Sequence, residues 1–385
     1  MKINYIVIYR EVKMRIGKYL FLSIIIIMGL LVSFNVLAVE KYKIGVPMPF
    51  TGDGAMYGEV AKEGLRIALN EINTRGNIEI ELVYHDDEAI PANAAIVANR
   101  LSMDKDIIAV LGHFNSSCSL AGAPVYAEHN LVMLSPCSSA LKLTRMGLNN
   151  VFRIIATDDI LSKQMADFVW DRLDIKKAAV VCENSDFGRG LANGFIDQFE
   201  KRGGSISAFE TYVPNVDKDF NPLITKFKAT DAEILVVLGV YVEASLITRA
   251  AGNLGYKVPV IGGSGIYNPE FLEIATPEFA EGAISFTYFL TDYPDLETQR
   301  FIELYRTAYS KDPIDVPANY YDGIHAIARA IELGGTTREK LLEILPTIEF
   351  KGATGLIKFD ENHDCSEKII MKATVKDGNW VAIPD

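Results

Sequence analysis

"KIGVPMPF" (residues 43–50) runs through "TGDGAMYG" (51–58) into "EVAKEGLRIALNEIN" (59–73). The first stretch is short and apolar and ends in prolines. The second is a glycine-rich turn. The third sets Val60, Leu65, Ala68, Leu69 and Ile72 at helical spacing. Strand, turn and helix make one βα unit, and the fold class depends on whether that unit repeats. It does. "IEIELVYH" (78–85) alternates with period two, "ANAAIVANRLSM" (92–103) is helical, and "IIAVLG" (107–112) is a strand. "SLAGAPVYAEH" (119–129) is a helix and "LVMLSP" (131–136) a further strand. Such repetition is the mark of a parallel sheet with helices on both faces.

A second series starts near "VFRIIATDD" (151–159). Helical "ILSKQMADFVWDRL" (160–173) leads to strand "KKAAVVCE" (176–183), and "GRGLANGFIDQFEKRGG" (188–204) is a helix closed by Gly203 and Gly204. "ISAFETYV" (206–213), "EILVVLG" (233–239) and "VPVIGG" (258–263) are strands, separated by helical "FNPLITKFKAT" (220–230) and "EASLITRAAGNLG" (243–255). Two long helices follow, 295–310 and 318–335. "GLIKFDEN" (355–362) and "IIMKATVKDGNW" (369–380) read as the two strands of one hairpin. No low-complexity linker divides the halves, so two α/β domains of similar size share crossovers rather than a tether.

Composition narrows the function. The 385 residues are 49% hydrophobic, enough for large cores, and the formal net charge is −12. That sign disfavours nucleic acid and anionic membrane surfaces as partners. Lys2, Arg10, Lys13, Arg15 and Lys18 precede "YLFLSIIIIMGLLVSF" (19–34), and Val36 and Ala38 are the small residues a signal peptidase reads. Residues 1–38 are therefore expected to be a secretory signal peptide and the protein to be periplasmic, with an uncleaved anchor as the alternative. Cys118, Cys137, Cys182 and Cys365 show no CxxC spacing, so a metal site or redox dithiol is not expected, and one disulfide or none is.

In open α/β sheets ligands bind outside the carboxyl ends of the strands. At the first exit, Gly52, Gly54 and Gly58 with Asp86 imitate a dinucleotide fingerprint, but close backbone packing explains three glycines as well, and no cofactor is expected. Tyr57 there is placed to cover a ligand. At the third exit Asn115, Ser116 and Ser117 open a helix, either as caps or as an anion seat. The fourth exit, "SPCSSALKLT" (135–144), repeats the small hydroxylic residues, and two such exits side by side favour a shared carboxylate. The second series offers Asp186 and Phe187, Tyr241 and Glu243, and Ser264 and Tyr267: rings and a few polar groups suited to gripping a small molecule from the other side.

Catalytic readings are weaker. "GGSGI" (262–266) lacks the last glycine of a nucleophile elbow. Cys118 or Cys137 with His113 would make a thiolate–imidazole pair, but no third orienting residue follows. The histidines have no ligand spacing, and acidic "VYHDDEA" (83–89) reads as a solvated strand end rather than a cation site.

Taken together, "KIGVPMPFTGDGAMYGEVAKEGLRIALNEIN", "GHFNSSCSLAGAPVYAEHNLVMLSP", "FRIIATDD" and "NSDFGRGLANGF" resemble the type I periplasmic substrate-binding proteins of branched-chain amino acid ABC transporters. The resemblance covers nearly all of residues 39–385. It implies two doubly wound parallel-sheet lobes joined by three crossovers, with the ligand in the cleft between them. Lobe one would be 40–157 plus 288–370, and lobe two 158–287 plus 371–385. It implies that Ser116 and Ser139 bind a ligand carboxylate, that Cys137 offers a backbone group to an amino acid head, and that Tyr57, Phe187 and Tyr241 pack near the ligand, Phe187 replacing a usual tyrosine. The family's glutamate for the ligand ammonium falls on Ser264. An unpaired buried ammonium is costly, so either Asp159, Asp186 or Glu243 replaces it or the ligand has no ammonium. The function so implied is capture of a small carboxylate-bearing ligand, most simply an amino acid, for a membrane permease. A sensor on the same fold and a secreted thiol hydrolase are the alternatives.

Overall fold

The computed structural model describes residues 39–52 and 54–384, together with residues 9, 13–16 and 18, which are helical and exposed. The expected signal peptide otherwise lies outside the described residues. Among the described residues no helix is long and apolar enough to cross a membrane.

The chain opens with β1 (Glu40–Met48), α1 (Ala55–Arg75), β2 (Ile78–Asp86), α2 (Pro91–Met103), β3 (Ile107–Leu111), α3 (Ser116–Ala127), β4 (Val132–Ser135) and β5 (Val151–Arg153). These five strands form one sheet in the order β2-β1-β3-β4-β5. The register is parallel, with Ala109 opposite Val132 and Leu134 opposite Phe152. Both β3 and β4 are buried along their whole length, as expected for strands covered on both faces. Pro47 does no harm to central β1, because its pairing with β3 spans only Lys43–Gly45. "VFR" closes this first sheet rather than opening the second.

Next come α4 (Asp158–Asp171), β6 (Lys177–Glu183), α5 (Asp186–Lys201), β7 (Ser205–Tyr212), α6 (Asn221–Lys228), β8 (Ile234–Leu238), α7 (Tyr241–Asn253), β9 (Val260–Gly262), α8 (Pro269–Ala275), α9 (Pro277–Ala280) and β10 (Ile284–Thr287). The remainder is α10 (Leu296–Tyr309), α11 (Asp315–Glu332), α12 (Arg338–Ile344), β11 (Glu349–Gly352), β12 (Gly355–Lys358), β13 (Met371–Lys376) and β14 (Asn379–Ala382). The second sheet runs β14-β13-β10-β9-β8-β6-β7, parallel except for the antiparallel β10–β13–β14 edge. The chain thus passes between the sheets after β5, after β10 and before β13.

The expected single hairpin near the C-terminus is two hairpins. β12 pairs with β11, and β13 with β14. "KATVKDGNW" turns back on itself because Asp377 and Gly378 both take positive φ (51° and 73°), the requirement of a two-residue hairpin turn.

After β10 the chain returns to the first sheet, where α11 packs on α1. The approach is close. A Cβ at Gly64 would lie 2.1 Å from the Pro317 carbonyl oxygen. Only glycine lets the first turns of α11 sit there, and that position brings Asp315 and Asn319 to the ligand cavity.

Candidate functional site

Each parallel sheet has a point where strand order reverses: between β1 and β3 in one, and between β6 and β8 in the other. Loops leaving such strands diverge and open a crevice. The loops at both points border a single cavity of about 260 Å³. Tyr57, Asn115, Ser116, Cys137, Phe187, Tyr241 and Ser264 all line it. Ser139 is the exception among the expected residues. It is 2% exposed and lies behind the wall. Its carbonyl accepts the Asp158 N–H at 2.9 Å.

The wall nearest the first sheet is built around the start of α3. Asn115 occupies the N-cap position but makes no capping bond, and its Oδ1 is buried without a partner. The first-turn N–H groups of α3 are therefore left for a ligand anion. Ser116 is 3% exposed and its Oγ accepts the Ala140 N–H at 3.3 Å, which ties the two hydroxylic loops together.

Beneath this wall lies a rigid base. His113 Nδ1 meets Asp87 Oδ2 at 2.6 Å and Nε2 meets the Tyr126 hydroxyl at 3.0 Å, with His113 and Asp87 fully buried. Arg153 is fully buried, and its Nη1 donates to the carbonyls of Ser138 at 3.1 Å and Ala140 at 2.8 Å. Its Nε and Nη2 hold Asp364 Oδ1 at 2.9 and 2.7 Å. His113, read from sequence as a catalytic candidate, thus locks the loop that carries Asn115 and Ser116. Arg153 was missed, although an arginine inside an apolar strand is a legible signal of a buried polar network.

The opposite wall carries Phe187, Tyr241, Ser264 and Tyr267. Tyr57 stacks on Phe114, ring centroids 4.4 Å apart, and meets Tyr241 edge-on at 5.9 Å. α3 and α5 touch directly. Ser117 Oγ donates to Asp186 Oδ2 at 2.7 Å, and the Asp186 N–H reaches Ser117 Oγ at 3.2 Å.

The glycine turn behaves as packing. A Cβ at Gly58 would lie 2.4 Å from the Pro49 carbonyl oxygen. Asp86 accepts the N–H groups of Phe50 at 2.8 Å and Glu88 at 2.9 Å, as well as the Thr51 hydroxyl, so its carboxylate is occupied in the turn. No thiol is activated. Burial raises the pKa of both Cys118 and Cys137, the reverse of what a nucleophilic cysteine needs, and all four cysteines are unpaired.

Of the three acids named for Ser264's role, Asp159 is ion-paired with Lys163 at 2.9 Å, Asp186 accepts the Ser117 hydroxyl at 2.7 Å, and neither lines the cavity. Glu243 does, fully buried, with Oε1 accepting Lys218 Nζ and the Asn215 N–H, both at 3.1 Å. Two further wall carboxyls escaped the sequence reading. Glu183, at the end of β6, is pushed up to about 7 by burial, opposed by the Ser185 hydroxyl. Asp315, at the start of α11, is also pushed up to about 7 by burial. Among the described residues no lysine, arginine or histidine lines the cavity.

A family model described as periplasmic binding protein matches residues 41–379. The leucine-, isoleucine-, valine-, threonine- and alanine-binding protein of Pseudomonas aeruginosa is 30% identical over 335 residues, 85% of this chain and 88% of that one. The crystal structure of leucine-binding protein LivK from Thermotoga maritima superposes with a TM-score of 0.83 at 30% identity, covering 89% of this chain and 98% of that one. The LivJ protein of Streptococcus pneumoniae, solved in complex with isoleucine, gives a TM-score of 0.83 at 29% identity, covering 89% and 99%. Two wound sheets, a cavity at their paired switch points and a match along nearly the whole described chain lead to one conclusion: this chain belongs to the periplasmic binding protein family.

Proposed function

We propose that this chain is the substrate-binding component of an ABC importer, exported by the leader at residues 1–38, and that it captures a small amino acid without transforming it. The lobes of the reading are 40–157 plus 288–370 and 158–287 plus 371–385. The division is supported by the strands, since β1–β5 make one sheet and β6–β10 with β13 and β14 the other. The ligand docks on the first wall, the lobes hinge shut, and the second wall completes the enclosure. The closed form is the one a membrane permease reads.

One observation carries the reading. The cavity joins an uncapped helix start, flanked by Ser116 and Ser117, to an aromatic wall that holds carboxyl groups and, among the described residues, no basic side chain. The helix start accommodates a carboxylate, and the acids accommodate a cation. A zwitterionic head with an apolar side chain satisfies both. The names of the relatives point the same way.

A thermal-shift screen tests it. Leucine, isoleucine, valine, alanine and threonine are compared with their amides and with benzoate. At least one amino acid is expected to raise the melting temperature in a saturable way, more than its amide does. If only amides or aromatic acids stabilise the protein, the amino acid reading is wrong.

A further inference from the structure

The resemblance implies that the family's acid for the ligand ammonium falls on Ser264, which carries no charge, and a replacement has to satisfy two conditions. It must face the cavity without a cation of its own. It must also lie near the carboxylate seat, because one carbon separates the two charges of an α-amino acid. Glu243 fails the first, since Lys218 neutralises it. Glu183 is already engaged by the Ser185 hydroxyl and the Val240 N–H.

Asp315 meets both. It is half-buried on the cavity wall, no ion pair to it is recorded among the described residues, and its bonds are to N–H groups of its own helical turn, including Val316. One turn on, Asn319 also lines the cavity, is 1% exposed, and has an Oδ1 without any partner. A buried amide oxygen left unbonded is costly unless something arrives to donate to it. The Asn319 amide nitrogen stands 3.9 Å from Cys137 Sγ, which places this face of α11 beside the loop expected to hold the amino acid head. The other ionisable groups whose charge Asp315 feels or affects are Tyr57, Tyr267, Tyr288 and Cys137, all neutral there because burial raises them. Among the described residues no cation on the cavity wall competes with a ligand.

We infer that Asp315, together with the amide oxygen of Asn319, receives the ammonium group of the ligand, taking over from α11 the role that the family assigns to the position of Ser264. This rests on the amino acid reading above and goes further by naming the residues that decide for an ammonium. The ligand is thus clasped by three segments: the start of α3 for its carboxylate, α11 for its ammonium and the aromatic wall for its side chain.

The test is calorimetric titration of the full mature chain with leucine and with 4-methylpentanoate, which is leucine without its ammonium. Asp315→Asn should weaken leucine on the order of 30-fold or more, the scale for truncating one partner of a buried charge pair, and leave 4-methylpentanoate within about threefold. Asn319→Leu should weaken leucine by about tenfold in the same selective way. The melting temperature of each ligand-free variant reports folding, and Asp315→Glu, which keeps the charge, should recover part of the leucine affinity. Leucine affinity unchanged in Asp315→Asn, or lost instead in Glu183→Gln or Glu243→Gln alone, overturns this inference and spares the amino acid reading. Wild-type protein that binds 4-methylpentanoate but no amino acid overturns both.

Discussion

Replacing Arg153 tests how the ligand wall is held up. Its five N–H groups are all used: two on Asp364 Oδ1 at 2.9 and 2.7 Å, two on the carbonyls of Ser138 and Ala140 at 3.1 and 2.8 Å, and one on Thr144 Oγ1 at 2.8 Å. Arg153→Met leaves Asp364 with only Thr144 and the more exposed Arg145, takes the donor from the Ser138 carbonyl, and leaves the Ala140 carbonyl with only the Leu143 N–H. Breaking a buried pair in this way costs about 3–5 kcal/mol, a large part of the roughly 5–15 kcal/mol that holds a domain folded. Arg153→Lys keeps the charge but loses the planar fork, and about 2 kcal/mol is expected. Equilibrium urea unfolding reads both. With m near ~3 kcal/mol/M, the midpoint should fall by about 1 M or more for Met and somewhat less for Lys. Arg145→Met, removing a pair whose arginine side chain is 37% exposed, should cost no more than about 1 kcal/mol. Ligand affinity should fall with the Arg153 variants, because Cys137 sits in the loop whose carbonyls Arg153 grips. A lysine variant as stable as wild type, with full affinity, would show that the fork does not support the wall.

Two more outcomes follow from the same geometry. Ser117→Ala removes the direct bond between α3 and α5, an exposed bond worth about 0.5–1 kcal/mol, so ligand Kd should rise roughly two- to fivefold; solution scattering of the saturated variant should show a larger open fraction, and an unchanged Kd would remove the bond from the closure mechanism. Asp158, Glu183 and Asp315 are each raised by burial to about 7, while carboxyls of the unfolded chain titrate near ~4. Between those values the folded chain holds protons the unfolded chain has lost, so this stabilisation is complete below the lower value and disappears as pH climbs through the upper one. The melting temperature of the ligand-free protein should therefore drop from about pH 5.5 to 8, less steeply in Glu183→Gln, and parallel curves for the two would contradict the assignment.

Most of the fold was legible because it is written locally. Strand and helix periods, Gly203 and Gly204 at a helix end, and repeating βα units need no distant partner. The C-terminal hairpins were misjoined because pairing is a non-local choice. "GLIK" could have met "MKATVK", and only the positive φ of Asp377 and Gly378 in the assembled sheet folds the latter onto "NWVA" instead. Strand-exit residues such as Tyr57, Asn115 and Ser116 could be named from sequence because the end of a parallel strand is a local feature with a known outlook.

What sequence alone determined, then, is the family, the two wound sheets and the strand-exit residues that line the cavity. The tertiary structure alone decided that Ser139 lies behind the cavity wall, that His113 is buried against Asp87, and that an acid enters the cavity from α11. Asp315 lies about two hundred residues from Asn115 in sequence, and nothing near it announces a ligand. It reaches the cavity only because α11 packs against α1 at Gly64. Its chemistry is likewise a consequence of assembly, since burial among neutral groups with no cation beside it is a property of the packed cavity and not of the chain.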